Sequence, residues 1–263
     1  MASRRISTRT PTGEPSPRQP NHPSTVYRSL EASLHDPFWE AEGDPAELPL
    51  LEGFLNSHPG RCLDLGCGSG RLLLPLLKAG FAIEGLDCSP DMLALCREYA
   101  TAYDVTPTLH EGDMQAFKLP APYQSVIIPA FTFQILPNPS LALQCIHRHL
   151  APGGALYLSV FIPQAELAGD PPEDKWYLDH ESFLPGDRTA RIHTRHRVNR
   201  SASFLVRQHH YEIRRGDESL EDSHESTQHL RWYLPAEFRE LLASHHFEVE
   251  TIIADFDPDD HHP

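Results

Sequence analysis

The sequence predicts an α/β protein: a doubly wound, mostly parallel sheet with helices on both faces, and a small antiparallel β-sheet inserted after the fifth strand. Three observations predict it. Short apolar, β-rich runs alternate with segments of helical period from residue 61 to residue 161, the rhythm of successive βα units. The first of those runs ends in glycines at 66, 68 and 70, where a strand turns tightly into a helix. Residues 163–233 then lose the rhythm and carry β-branched, aromatic and charged residues separated by turn material such as Arg215-Gly-Asp217.

Residues 1–24 are rich in Pro, Ser, Thr and Arg without a periodic apolar face, which predicts a disordered tail. An aromatic-bearing segment over Tyr27–Trp39 and a helix from Pro45 to Asn56 precede the first strand, Arg61–Leu65. A helix over Ser69–Ala79 stops at Gly80. The second strand, Ala82–Leu86, ends at Asp87. The next helix opens with Ser89 as N-cap, Pro90 at its first position and Asp91 in its first turn. Its positions Met92, Leu95, Cys96 and Tyr99 share one face. Strands follow at Thr106–His110 and Gln124–Pro129. A helix over Ser140–Leu150 and the turn Ala151-Pro-Gly-Gly154 lead into the fifth strand, Ala155–Phe161. Within the insertion, strands are expected over 189–198, 203–214 and 225–233. A helix from Pro235 to His245 and a strand over Phe247–Ala254 close the chain. The organisation expected is a tail over 1–24, one α/β domain from 25–162 and 234–263, and an inserted sheet over 163–233.

Bulk composition narrows the function classes. At 263 residues the chain suits one moderate domain with additions, and 40% hydrophobic against 22% charged residues is the balance of a soluble globular protein. A net charge of −15 repels polyanions at long range, which counts against a nucleic-acid partner. No apolar run reaches the length of a membrane span and no signal segment follows Met1, so a cytoplasmic protein is expected. Five cysteines without a C-x-x-C pair, an odd number, predict reduced thiols rather than zinc or disulfides. The 17 histidines come partly in doublets. Neighbours on a strand point to opposite faces, so His209 and His210 do not share an ion and no metal site is expected.

Right-handed crossovers place the C-terminal end of every parallel strand on one rim. Gly66, Asp87, Asp113 and Pro129 all lie at or just past such ends. Gly66 and Gly68 lack a Cβ and let a ligand lie against backbone, while the following helix aims free N–H groups into the same space. The spacing is G-x-G-x-G with an acid at Asp64, and the acid favours a ligand with a cationic amino group over a bare pyrophosphate. A tight turn without a ligand is the plain alternative for the loop alone. Asp87, 21 residues after Gly66, stands where a carboxylate meets a ribose diol in mononucleotide folds. In Glu111-Gly-Asp113-Met114 the acid can accept an adenine amine and Met114 can pack on the base, although G-D is also a common turn.

Taken together these residues resemble the class I S-adenosylmethionine-dependent methyltransferases, of the type acting on small molecules. The likeness runs from Leu51 to Phe161 and resumes over Arg231–Glu250. Leu63-Asp-Leu-Gly-Cys-Gly-Ser-Gly70 resembles the first motif, Glu84-Gly-Leu-Asp87 with Cys-Ser-Pro the second, and Glu111-Gly-Asp-Met114 the third. Val126-Ile-Ile-Pro129-Ala-Phe131 takes the fourth position. The resemblance implies a Rossmann-like sheet and S-adenosyl-L-methionine as cofactor. Its methionine end would be held by Asp64, Leu65, Gly66, Cys67, Gly68 and Gly70, and its ribose by Asp87 beside Cys88 and Met92. Asp113 and Met114 would take the adenine, and Pro129 the floor near the sulfonium. The reaction implied is in-line methyl transfer to an O or N nucleophile of a small molecule, helped by alignment and exclusion of water. A non-catalytic cofactor-binding scaffold or partner subunit is the alternative.

The fourth motif lacks the Asn/Asp-Pro-Pro-aromatic run of base and amide methyltransferases and the Pro-Cys of cytosine enzymes, which again turns away from nucleic acid. Substrate contacts are expected from the unmatched parts and the fourth motif: Tyr27, Phe131, Trp176, Tyr177, Arg231 and Tyr233. The sequence does not fix a catalytic base, and His229, His110 and Tyr233 are the candidates. The insertion is expected to act as a lid over the rim, or alternatively as the dimerisation sheet of a homodimer. After Ala254 only a polar, Pro-containing stretch remains, so the family's usual final antiparallel strand is expected to be missing.

Overall fold

The computed structural model describes residues 26–40, 46–120, 122–257 and 261–262. The expected tail over 1–24 and Pro45, the expected start of the first long helix, lie outside them. Two short helices, α1 (Ser29–Ser33) and α2 (His35–Glu40), precede α3 (Leu48–Ser57). The α/β unit follows as β1 (Cys62–Leu65), α4 (Leu73–Lys78), β2 (Ile83–Asp87), α5 (Pro90–Tyr103), β3 (Leu109–Glu111), β4 (Tyr123–Ile128), α6 (Pro139–His149) and β5 (Leu150–Leu158). Its strands pair in the order β3-β2-β1-β4-β5, all parallel. The strand order reverses between β1 and β4, the switch point at which such sheets open a crevice beyond their carboxyl ends.

β1 is buried at all four positions, and Val126, Ile127 and Ile128 of β4 are fully buried beside it. One apolar layer joins Leu63, Leu65, Ile128, Leu143 and Ile146 to Leu242. The opposite layer joins Leu51, Leu73, Leu76, Leu93 and Ile127. Ser89 caps α5 as expected, accepting the Met92 N–H at 3.1 Å, with Pro90 at the first helical position. α4 begins at Leu73, four residues later than expected at Ser69. Gly70 has φ +90°, which no right-handed helix includes, so the turn after β1 unwinds further before the helix starts.

After α7 (Gln164–Ala168) the insertion forms one antiparallel sheet in the order β6-β7-β8-β9: β6 (Tyr177–Leu184), β7 (Arg188–Asn199), β8 (Phe204–Arg215) and β9 (Leu220–Arg231). β6 is a fourth strand beyond the three expected. α1 and α2 lie against this sheet, where Leu30, Leu34 and Phe38 pack on Ala190, Ile192, Tyr211 and Ile213. α8 (Pro235–Ala243) follows, but the strand expected over Phe247–Ala254 does not join the parallel sheet. Phe247 and Val249 pack their side chains on the apolar layer without pairing. Only β10 (Ile252–Ile253) is extended, and it pairs antiparallel with β11 (His261–His262). The parallel sheet therefore ends at β5 among the described residues. None of their helices is long and apolar enough to cross a membrane.

Candidate active site

The glycine loop begins where β1 ends. Gly66 has φ +79° and donates its N–H to Leu86 O at 2.7 Å, which stitches the loop to β2. A Cβ at Gly66 would stand 2.6 Å from Thr132 Cγ2, so only glycine fits beneath the turn after β4. Gly68 has φ +54° and donates to Asp87 Oδ2 at 2.9 Å. Ser89 N–H reaches the other oxygen, Asp87 Oδ1, at 2.7 Å. Burial raises the Asp87 pKa, and these backbone bonds work against that rise. The carboxylate is thus fixed in place with lone pairs left on both oxygens.

Asp64 stands behind the loop, 1% exposed, and its Oδ1 has no hydrogen-bond partner in the structure. Burial, and then the charges of Asp87 and Glu47, push its carboxyl well above the usual carboxylate range. An orphaned buried acceptor at this position is what a cationic amino group would satisfy. Past β4, Ala130 and Phe131 both take left-handed backbone, at φ +53° and +61°. Glu47 Oε2 accepts the Ala130 N–H at 3.0 Å and Ser159 Oγ accepts the Phe131 N–H at 3.2 Å, so the strained turn is held from two sides.

These features line one cavity of about 670 Å³ between the rim of the parallel sheet and the inner face of the four-stranded sheet. The N-terminal segment roofs it and is fastened to the rim. Ser89 Oγ donates to Tyr27 O at 2.5 Å, Ser29 N–H to Asp91 Oδ2 at 3.1 Å, and Ser69 Oγ to Asp36 Oδ1 at 2.7 Å. It is fastened to the sheet as well, through Ser226 Oγ to Glu31 Oε1 at 2.9 Å and Gln228 Nε2 to Tyr27 Oη at 3.3 Å.

Of the residues expected around a cofactor, the structure brings Asp64, Gly66, Cys67, Gly68, Asp87, Cys88, Met92, Asp113, Met114 and Pro129 to the cavity wall. It places Leu65 in the core, fully buried, and turns Gly70 inward, where a Cβ would meet Cys96 Sγ at 2.7 Å and Leu74 Cγ at 2.8 Å. Asp113 Oδ1 accepts the Gln115 N–H at 2.8 Å, so the carboxylate also shapes its own turn.

Of the residues expected around a substrate, Tyr27 and Phe131 reach the wall, and Trp176, Tyr177, Arg231 and Tyr233 do not. Trp176 is 46% exposed beneath the Arg195 guanidinium, and Tyr177 packs against the His196 ring. Arg231 pairs with Glu237 at 2.9 Å, and Tyr233 is buried between Phe133 and Phe238. Neither His110 nor His229 lines the cavity. His110 Nε2 lies 2.9 Å from Glu84 Oε2, and the His229 ring meets Phe204.

The far wall holds groups outside both expected sets: Glu31 on α1, Asp179 on β6, Arg207, His209 and Tyr211 on β8, and Gln228 on β9. The signal for three of them lies in Arg207-Gln-His209-His-Tyr211, since alternate residues of a strand share a face. His209 accordingly faces the cavity while His210 pairs with Glu212 and Glu225 on the other side. Burial raises the Glu31 carboxyl to about 7, against the Ser226 bond. Burial first, then the Arg207 charge, lowers His209 to about 4.

A switch-point crevice holding a glycine loop, a pinned acid at the end of β2 and an orphaned acid behind the loop has the makings of a site for a nucleoside that carries a cationic group. Residues 62–154 match the family model described as a methyltransferase domain. Over these residues the chain carries a methyltransferase domain, and S-adenosylmethionine is the ligand bound in a solved structure of similar fold. In sequence it is similar to the demethylmenaquinone methyltransferase of Thermus thermophilus, 35% identical over 111 residues, which are 41% of this chain and 50% of that one. The matched region thus spans half the length of that relative. In fold it is similar to DesVI of Streptomyces venezuelae, with a TM-score of 0.68 at 19% identity over 86% of this chain and 94% of that one. It is similar too to S-adenosylmethionine-bound CalS10 of Micromonospora echinaspora, an amino pentose methyltransferase involved in calicheamicin biosynthesis. That likeness has a TM-score of 0.64 at 20% identity over 89% and 95% of the two chains.

Proposed function

We propose that the protein transfers a methyl group from S-adenosylmethionine to a nitrogen or oxygen nucleophile of a small molecule held against the inserted sheet. The observation that carries this is the continuity of one cavity, with the glycine loop and Asp87 on one wall and Glu31, Asp179, His209, Tyr211 and Gln228 on the other. A volume of about 670 Å³ lies within the range of small-molecule sites. The bound cofactor supplies a methyl group on a cationic sulfur. On this reading the orphaned Asp64 Oδ1 holds the amino end, Asp87 takes the ribose hydroxyls, and Asp113 and Met114 border the adenine. Pro129 and Phe131 form the floor, and the strained turn there keeps the Phe131 ring edge-on to Phe161, 4.8 Å between centroids.

The roof of α1 and α2 covers part of the cavity, and shielding from water strengthens the polar contacts beneath it. The far wall orients the acceptor. Its carboxylates suit an acceptor that carries an amine, and CalS10 is described as an amino pentose methyltransferase. The inserted sheet therefore serves as the acceptor wall rather than as a detached module.

Calorimetry with S-adenosylmethionine, followed by transfer of labelled methyl to a panel of amines, phenols and hydroxylated sugars, tests the proposal. Binding with transfer to a panel member is the expected result. Absence of cofactor binding overturns it. Binding with no transfer to any member speaks for a cofactor-binding scaffold instead.

A further inference from the structure

On the inner face of the four-stranded sheet, polar side chains from three adjacent strands stand in line. The register of β6 on β7 shifts between Leu178 and His180, so Asp179 sits at a bulge, a device that re-aims a side chain. Thr194 on β7 is fully buried and lies directly opposite His209 on β8. Thr194 Oγ1 donates to Asp179 Oδ2 at 2.6 Å and is 2.9 Å from His209 Nδ1.

A hydroxyl carries one hydrogen, and a carboxylate only accepts. Were that hydrogen turned to His209, the Thr194 and Asp179 oxygens would face each other at 2.6 Å unbridged. The hydrogen belongs to the Asp179 contact, and the second contact needs its hydrogen from His209 Nδ1. A neutral imidazole protonated at Nδ1 carries its lone pair on Nε2. That atom has no hydrogen-bond partner among the described residues, and the ring lines the cavity.

We propose that His209, held in this tautomer by Thr194 and Asp179, takes the proton of the methyl acceptor on Nε2. His209 is then the catalytic base, and Thr194 and Asp179 are positioning residues. The inference rests on the methyltransferase reading. In the step, the lone pair of the acceptor heteroatom forms a bond to the methyl carbon as the carbon–sulfur bond breaks, sulfur keeping the pair. Bond formation makes the acceptor heteroatom cationic and so far more acidic, and its proton then passes to Nε2 and from there to water.

The groups facing the imidazole come from three sides. Arg207 and Tyr211 flank it on β8, the Tyr211 ring 6.1 Å away, and Asp179 and His180 face it from β6. Glu31 and Tyr27 lie beyond Tyr211. Burial, Arg207 and His180 keep the ring neutral at ordinary pH, and Asp179 is the group that favours the arriving proton.

Ring-nitrogen NMR of the full chain labelled at histidine decides the tautomer, with the His209 signals assigned by their loss in His209→Gln. The expected spectrum at neutral pH has a protonated Nδ1 and a pyridine-like Nε2, kept in Thr194→Ser and mixed or reversed in Thr194→Val. A wild-type proton on Nε2, or no change in Thr194→Val, overturns the proposal whatever the activity. With any panel acceptor that the wild type methylates, His209→Gln lowers kcat about 100-fold or more with KM little changed. Undiminished kcat overturns the base role. S-adenosylhomocysteine titrated into the wild type separates the two readings. No binding there overturns the methyltransferase reading, whereas binding with the wrong tautomer overturns only the relay.

Discussion

The Gly68 N–H donates to Asp87 Oδ2 at 2.9 Å, so the glycine loop after β1 and the acid that ends β2 form one unit. Ser89 N–H takes the other oxygen at 2.7 Å. The carboxylate is anchored by backbone, and its remaining lone pairs face the cavity. Asp87→Ala therefore removes both the ribose acceptor and the strut beneath Gly68. Calorimetry with S-adenosylhomocysteine should show affinity weaker by about 1–3 kcal/mol, the worth of hydrogen bonds to a charged group. An unchanged affinity would place the ribose elsewhere.

Asp64 gives a second measurable consequence. Its carboxyl is held well above the usual range by burial and by the neighbouring Asp87 and Glu47 charges. A ligand ammonium beside Oδ1 favours the ionised form and pulls that pKa back down, so cofactor binding releases a proton. The binding enthalpy of S-adenosylmethionine should then vary with the ionisation enthalpy of the buffer, and the variation should vanish in Asp64→Asn. A buffer-independent enthalpy in the wild type would count against an amino group at Asp64.

Gly66 and Thr132 meet across the floor of the site. Gly66→Ala puts a side chain on left-handed backbone, which costs about 1–3 kcal/mol. It also drives the new Cβ to 2.6 Å from Thr132 Cγ2. Denaturant unfolding should show Gly66→Ala destabilised, and Thr132→Ser, which deletes that methyl, should recover part of the loss in the double variant. If Thr132→Ser recovers nothing, the clash is not what excludes a side chain there.

The rim was legible in the sequence because each of its parts is local. Leu63, Val126 and Ile128 lie in apolar runs of strand length, and Ser89-Pro90 announces a helix start whatever packs around it. The far wall was not legible, because it exists only after folding. Arg207, His209 and Tyr211 share a face by strand alternation, but only the packing of α1 and α2 on Ala190 and Ile192 makes that face a cavity. β6 escaped because the bulge at Asp179 breaks its period, and because Phe183, 83% exposed, gives the strand no buried apolar stripe. Tyr233 looked like a substrate residue by type, yet the Phe133–Phe238 pair takes it into the core. Phe247 and Val249 looked like a strand, and they bury their side chains without finding a partner strand.

Glu31 and His209 border the same cavity and act on stability in opposite directions. Glu31, raised from 4.5 to about 7, keeps a proton that the unfolded chain gives up. Its contribution is full below about pH 4.5 and is lost as pH rises through 7. His209, lowered from 6.5 to about 4, refuses a proton that the unfolded chain accepts. Its contribution is full above about pH 6.5 and is lost as pH falls through 4. In the wild type the two slopes oppose each other between those limits. Glu31→Gln removes one of them. Its Tm relative to the wild type should climb from pH 5 to pH 8, by an amount on the order of 1–3 kcal/mol in stability. His209→Gln should show the reverse, gaining on the wild type as pH falls toward 5. Scanning calorimetry of the three proteins across that range reads both differences. A flat Glu31→Gln difference would mean that burial does not hold the carboxyl up, and that α1 presents an ordinary ionised acid to the acceptor.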